Sequence, residues 1–569
     1  ICYTKESIFV FLRSTGTTAA ASTMDNQKSA PTMELEHAIG FSGISAGLHY
    51  HPNGQDYVYP AGGCIVIASL SDPHNQVFLR GHDANITCLT MSPTGRYLAS
   101  GQAGSNADIL VWDYASRQLL FRLSEHDFGI NAVAFSHDEK LLVSVGNERD
   151  ARIFLWDMAN GNIVTTQQKL QATVLAVCWG GFHRDIKRRD TTSYLFATGG
   201  TRMLQFWVLN PITGELVANK VEFGAPVVRD YTCVQFTPDR ETMVAGTTSG
   251  DFAVVHVKTR RFLQSISACT CGVLSLCAWN EGVLVGGGDG SLLFFNNDFV
   301  DSAKQSLVGA ISGLSPLAGS GSVMAGTQSG FIYHVTVHPS QPSMASRLIC
   351  ENHSNGVLAI AFAPQHSDRF ATISKDCTIR IWDGSDYSVV RDMVSHLKEH
   401  SMAITGLALF DDDVHLLSCS RDKSFLCWEL RTERRIAAHI QRMGGLNAIA
   451  LSRNQSIVLT VGQEKRISYW DLRIEAPVNV ITKAHADEAT CLAVAHTMPY
   501  FATGGTDQLI KLWSFDTGRC FFPSQSCLLI MDGVGHSGSV RSLEFSPDDR
   551  QLVSVGDEGS IFVWNLYSE

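Results

Sequence analysis

The chain lacks a long apolar run. In 569 residues no stretch reaches the ~18–20 apolar residues that a bilayer-spanning helix needs. Ile8–Leu12 is far shorter, and no small-residue cleavage site follows it directly, so it is a poor signal peptide. The chain also lacks a basic excess. Its 44 Lys and Arg stand against 55 Asp and Glu, a formal net charge of −11. That balance argues against nucleic acid or an anionic membrane as the main partner, while leaving room for a local basic patch. Proline is scarce, with 16 Pro against 48 Gly, in a composition that is 45% hydrophobic and 17% charged. This is a soluble globular composition with material for more than one core.

Catalytic and metal motifs are missing too. No GxSxG, P-loop, HExxH or paired CxxC pattern occurs, so the reading is not an enzyme, with no cofactor, no metal and no small-molecule substrate. Cys269-Thr270-Cys271 with Cys277 has no zinc-ligand spacing. The 15 Cys are an odd number, and Cys88, Cys233 and Cys491 recur at one register of an apolar strand (ITCL, YTCV, ATCL). They read as small buried hydrophobes in a reducing compartment. Gly286–Gly290 (GGGDG) lacks a following Lys-Ser/Thr and a helix, so it reads as a hairpin turn and not a phosphate loop.

What is present is repetition. Leu98–Tyr114 (LASGQAGSNADILVWDY) reads as a strand, a polar turn and a second strand ending in Trp112-Asp113, with Gly81-His82 and ITCLTMSPTGRY upstream. The pattern returns along the chain. Closing strands centre on residues 66, 112, 156, 207, 256, 295, 334, 382, 428, 470, 513 and 564, spaced 39–51 residues apart. Four-stranded propeller blades typically run ~40–45 residues, so the expected fold is all-β: two tandem β-propellers with about twelve recognisable blades.

Each residue type in the repeat has a physical reason. Trp112, Trp156, Trp207, Trp382, Trp428, Trp470, Trp513 and Trp564 supply apolar area between blades and a donor that needs a partner. Trp112, Trp382 and Trp513 in particular are expected to be buried there. Asp113, Asp157, Asp383 and Asp471 follow their tryptophans directly. His82, His126, His353, His400, His485 and His536 precede their blades and can bond a strand Ser or Thr such as Ser554. Asp376, Asp422, Asp507 and Asp557 can accept backbone N–H groups in tight turns. Read singly, the histidines resemble proton shuttles; read as repeats they are structural.

The expected divisions are a disordered or artefactual leader at 1–33, with Met24 and Met33 as candidate starts, an N-terminal propeller at 34–338, a boundary at 339–346 (PSQPSMAS within Pro339–Ser346) and a C-terminal propeller at 347–569. Leu35–Phe41 reads as a strand completing the blade of Trp564, which otherwise ends on its third strand. The alternative is that Leu35–Phe41 closes the first ring, pairing with Ser329–Val337, while the last blade stays three-stranded. Ser346–Glu351 is expected as the outer strand of that ring's seventh blade.

Two insertions exceed the repeat. His183–Asp190 carries Arg184, Lys187, Arg188 and Arg189, either a solvated loop or a contact for an acidic partner. Cys520–Gly535 carries Phe521 and Phe522, either part of an outer strand or an exposed apolar patch for a partner.

The Gly-His…Trp-Asp pattern resembles the WD-repeat family. Leu35–His126 (AIGFSG, GLHYHP, YPAG, FLRGHDANITCL, ADILVWDY) and the closing GHSGSVRSLEFSP…SIFVWNL resemble, more closely, a family of tandem-propeller proteins of ciliary doublet microtubules. That family has two seven-bladed propellers, which leaves two blades unaccounted for near Arg391–His400. The resemblance implies a structural protein of the cilium or flagellum axoneme. It would be a cytoskeletal microtubule inner protein on the lumenal wall of the doublet, partnered by tubulin and other inner proteins, with no nucleic acid and no membrane. The other reading of the fold is a soluble assembly adaptor of the actin- or ubiquitin-pathway type.

Overall fold

The computed structural model describes residues 9–11, 35, 37–72, 75–184, 189–223, 229–279, 282–317, 319–338, 343–362, 369–385, 389–392, 400–432, 434–442, 444–514, 529–557 and 560–566. Among these residues every regular element is a strand. Alternating apolar residues in short runs, broken by Gly, Asp and Ser turns, leave no stretch with a helical period. The strands form twelve antiparallel sheets in chain order, eleven of four strands and one of three, plus a two-stranded ribbon. Each closing strand read from the sequence is the third strand of its sheet. The chain is thus all-β, two WD-repeat propeller units in tandem.

The units divide between Ser354 and Asn355. This corrects the expected boundary at 339–346, because Ser343–Cys350 pairs with Ile332–His338 as the fourth strand of the seventh sheet. The proline-rich stretch joins two strands of one sheet.

The first unit holds sheets one to seven, and its first strands pack side by side in sequence order. The ring returns to its start at His49–Tyr50. That strand contacts Ile311–Pro316 of the seventh sheet on one side, and its His49 Nε2 bonds the Leu89 carbonyl of the second sheet at 3.0 Å on the other. The Tyr50 N–H donates to Ser315 Oγ at 2.8 Å and the Ala46 N–H to the Ser312 carbonyl at 3.0 Å. The segment before it fills the seam. Ala38 and Phe41 are buried among Tyr57, Tyr59 and Val66 of sheet one and Met324 and Ile332 of sheet seven. The Gln76 side chain accepts from the Ala38 N–H at 2.9 Å and donates back to its carbonyl at 3.2 Å. Leu35–Phe41 therefore does not complete the Trp564 blade, nor does it pair with Ser329–Val337. Its strand is His37–Ile39, paired with Phe9–Phe11, and it plugs the joint of the first ring.

The second unit holds sheets eight to twelve. Its first strands also pack in sequence, from Val357–Phe362 to Val540–Phe545, but these two end strands do not pack on each other as consecutive ones do. The last sheet has three strands among the described residues. Its outer face carries Val553 and Val555 cross-strand from Val563 and Ile561, and those two are 58% and 66% exposed. Val389–Asp392 is the fourth strand of the eighth sheet, and residues 393–399, where missing blades were expected, lie outside the described residues.

Hydrogen bonds near the axis stitch neighbouring sheets. Thr87, Asn131, Thr405 and Asn447 side chains donate to the carbonyls of Ile130, Val174, Leu446 and Ala489 at 2.5, 2.9, 2.9 and 2.7 Å. Thr232 and Thr490 do the same to Val273 and Val540. Beside them sit Cys88, Cys233 and Cys491, thiols whose burial pushes their pKa up to about 12.

A second stitch lies at the turn between first and second strands. One residue there is left-handed: Gly95 at φ 80°, Glu139 at 59°, Arg240 at 57° and Asp549 at 56°. At the three that carry a side chain, this conformation turns it toward the preceding sheet. The Glu139 carboxylate accepts the Thr94 N–H and hydroxyl, both at 2.7 Å. That of Asp549 accepts the N–H groups of His496, Thr497 and Met498 at 2.8, 2.5 and 3.0 Å.

Candidate functional site

The motif residues converge in buried networks. In the third sheet His126 Nδ1 bonds Asp150 at 2.6 Å, its Nε2 bonds Ser144 Oγ at 2.9 Å, and the Trp156 indole N–H donates to the same oxygen at 2.9 Å. The ninth sheet repeats this with His400, Asp422, Ser418 and Trp428 at 2.9, 2.9 and 2.8 Å. The eleventh does so with His485, Asp507, Thr503 and Trp513 at 3.0, 2.7 and 2.9 Å.

Elsewhere the network is thinner. In the second sheet Gln102 replaces the acid beside His82, at 2.8 Å, and the buried Trp112 N–H finds no acceptor among the described residues. Trp207, Trp382 and Trp470 donate to Thr198, Thr372 and Thr460. In the twelfth sheet His536 bonds Ser554 at 2.7 Å, but Asp557 faces the Arg541 guanidinium at 2.5 and 2.7 Å. His353 has a half-buried place ahead of the eighth sheet.

Three of the four turn aspartates accept backbone donors. Asp376 takes the Thr378 N–H at 3.0 Å, Asp422 those of Ser401 and Ser424 at 2.9 and 3.0 Å, and Asp507 that of Ala486 at 2.8 Å. Asp113, Asp157, Asp383 and Asp471 accept from Ser116, Ala159, Ser385 and Arg473 N–H groups in the turn after their tryptophans.

Electrostatics follows. Burial acts against the charged carboxyls of Asp150 and Asp422, yet the hydrogen bonds and charge of His126 and His400, joined by the Asp127 N–H and Arg152 in one case and by Ser424 in the other, together outweigh it and hold both below the usual carboxylate range.

The Ser–His–Asp order looks like a catalytic triad, and its packing forbids that use. Ser144, Ser418 and Thr503 are fully buried, and each oxygen already accepts a tryptophan N–H and shares a bond with the imidazole. A nucleophile needs an open approach, and complete burial denies it to all three. Among the described residues no three His, Cys, Asp or Glu side chains gather as a metal site. Cys277 lies inside a strand, while Cys269 and Cys271 sit in the turn before it. Gly287 and Gly290 close a hairpin turn, Gly290 N–H to Gly287 carbonyl, 3.2 Å. Among the described residues no helix is long and apolar enough to cross a membrane.

The described ends of the basic insertion, Arg184, Arg189 and Asp190, lie at the far end of a long hairpin pair. Val174–Arg184 and Asp190–Gly200 are 11-residue strands where the corresponding strands of neighbouring sheets have six. Arg184 pairs with Asp190 at 3.2 Å, and Arg189 is exposed. Lys187 and Arg188 lie outside the described residues, as do Phe521 and Phe522; Leu529–Val534 from the second insertion is the fourth strand of the eleventh sheet.

Beneath the hairpin is a cavity of about 410 Å³, between the fourth sheet and the turns of the fifth. Arg184 is brought there with Arg240, Lys258 and Arg260, which the sequence reading missed. The signal was the run Lys258–Arg261 (KTRR) in a third-to-fourth-strand turn, and a basic residue at the left-handed turn position.

Comparison with known proteins agrees with this architecture. Residues 75–335 match the family described as the echinoderm microtubule-associated protein first beta-propeller. Residues 345–383, 391–429, 476–514 and 525–565 match the WD domain, G-beta repeat. The chain is a WD-repeat β-propeller protein. This WD-repeat chain is similar along nearly its whole length to proteins named cilia- and flagella-associated protein 52. With that of Chlamydomonas reinhardtii it shares 26% identity over 94% of this chain and 98% of the relative. With that of Homo sapiens the figures are 25%, 95% and 99%. WD repeat-containing protein 90 of Xenopus tropicalis is 21% identical over 94% of this chain but 35% of its own length.

Proposed function

We propose that the chain is a non-catalytic scaffold of the cilium or flagellum. More finely, it is a microtubule inner protein of the axoneme, seated on the lumenal wall of doublet microtubules and bridging tubulin to other inner proteins. The observation that carries this reading is the end-to-end similarity to cilia- and flagella-associated protein 52, which includes both propeller units and not the repeat motif alone. The geometry agrees with a scaffold. The repeated polar networks are consumed in holding blades together, so the surfaces of the sheets and their turns are what remains for partners. Tubulin is acidic, and the basic hairpin tip with Arg184 and Arg189 offers it a local cation patch despite the acidic chain.

Fractionation tests the reading. A tagged chain expressed in ciliated cells should stay with doublet microtubules after detergent and moderate salt. A soluble adaptor would wash out, and its appearance in the detergent supernatant would refute the lumenal assignment. Replacing Lys187, Arg188 and Arg189 with Glu should loosen retention in salt-washed axonemes if the hairpin tip is a contact.

A further inference from the structure

The cavity under the long hairpin has a floor and a rim of different chemistry. Its floor is apolar: Phe182, Leu195, Phe206, Val208 and Val217. Leu195 and Phe206 are buried in the core shared with the fifth sheet, whereas Val217 on the outer strand is 44% exposed. The rim is cationic: Arg184 from the hairpin, Arg240 from one turn of the fifth sheet, Lys258 and Arg260 from another, against the carboxylates of Glu241 and of Asp190, which pairs with Arg184. In a chain of net charge −11 this is a reversal of sign.

The local geometry explains why the cavity is there. At the turn position of Arg240, Glu139 and Asp549 clip their sheets to the preceding one by hydrogen bonds. The fourth sheet has no short turn at that height, because its first two strands run on into the long hairpin. The Arg240 guanidinium instead reaches over Gly181, whose φ of 90° and missing Cβ leave the space; a Cβ there would lie 2.6 Å from Arg240 Nη1. Among the described residues that guanidinium has no hydrogen bond or ion pair. Arg184 is held by Asp190 and the Asp239 carbonyl, and Arg260 by the Asn219 side chain, so the rim is partly organised in advance.

We infer that this cavity is a docking site for an acidic peptide segment of a partner protein, one apolar side chain filling the floor and flanking carboxylates meeting Arg240, Lys258 and Arg260. An arginine fork matches a carboxylate in two parallel hydrogen bonds, and an apolar anchor buried beside it supplies what charge alone does not. The inference does not rest on the axonemal reading, since it concerns what the folded chain binds, wherever it resides.

The test uses the purified full chain and a fluorescein-labelled polyglutamate peptide with one central phenylalanine, followed by fluorescence anisotropy. Saturable binding is expected. The double variant R240E/K258E should weaken it roughly tenfold or more, the loss of about 1.4 kcal/mol or more. Replacing the phenylalanine with glycine should weaken it by a similar factor, and a polylysine counterpart should not bind. Should R240E/K258E fail to fold by circular dichroism, V217D reads the same site from an exposed side chain and should also weaken binding. No binding by the wild-type chain, equal binding by the folded variants, or equal binding of the peptide without phenylalanine would overturn the inference. So would displacement by inorganic phosphate at matched charge, which would mark a general anion site.

Discussion

The two units differ in a way their motifs do not announce. The second carries a tryptophan in the third strand of every sheet, yet its end sheets do not meet as neighbours. The first has lost tryptophan from the third strands of its first, fifth, sixth and seventh sheets, yet it closes. Motif quality therefore specifies a blade, and closure depends on something else. In the first unit that is the seam of Ala38 and Phe41 between the first and seventh sheets. Position for position the contrast is sharp. Ile109 and Val111 of the second sheet are fully buried, while Ile561 and Val563, at the same register before their tryptophans, are 66% and 58% exposed.

The largest effects should come from the parts that hold each unit. Trp513→Ala, at a side chain 4% exposed, should destabilise the second unit by about 3–5 kcal/mol. Phe41→Ala, at one 5% exposed, should cost the first unit a similar amount and leave the second in place. Urea unfolding followed by hydrogen exchange in each unit separates the two. If Phe41→Ala loosened the second unit instead, the seam would belong elsewhere.

Next come the paired isoleucines. Ile109→Ala should cost about 2–5 kcal/mol, and Ile561→Ala less than about 0.5. Equal losses in thermal melts would mean that the outer face of the last sheet is covered.

Smaller again is the turn clip of Asp549. Burial alone would raise its carboxyl, but the side-chain and backbone donors of Thr497, His496 and Met498 hold it down to about 2. Its contribution is therefore full above the unfolded carboxyl value near ~4 and is lost as pH falls through about 2. Asp549→Ala should lower second-unit stability by about 1–3 kcal/mol at neutral pH and remove that part of the acid dependence. A variant losing stability between pH ~5 and ~2 as steeply as the parent would contradict this.

Much of this was legible in the sequence because each blade is a local pattern. Trp, Asp and the Gly-rich turns lie within about one repeat of each other, so the sheets and their third strands follow from spacing. What was not legible is non-local. The plug of Ala38 and Phe41 packs on residues nearly three hundred positions away, such as Met324 and Ile332, and no periodicity encodes that choice. A stretch rich in proline, at 339–346, imitates a domain boundary because a connection between two strands of one sheet and a linker share composition. The basic cavity escaped for the same reason: Arg184, Arg240 and Arg260 come from separate turns, and a single run such as Lys258–Arg261 reads as an ordinary solvated turn until the neighbouring hairpin is seen to overhang it.

Hydrogen–deuterium exchange of the third strands tests the contrast between the units most directly. In the second sheet Ser105–Asp113 is bonded to strands on both sides, whereas in the twelfth Ile561–Asn565 has a partner on one side among the described residues. The outward amides of Ile561–Asn565 should exchange orders of magnitude faster than those of Ile109–Asp113 under native conditions. Equal protection of the two strands would contradict the account, since it would mean that the second unit also ends on a covered sheet.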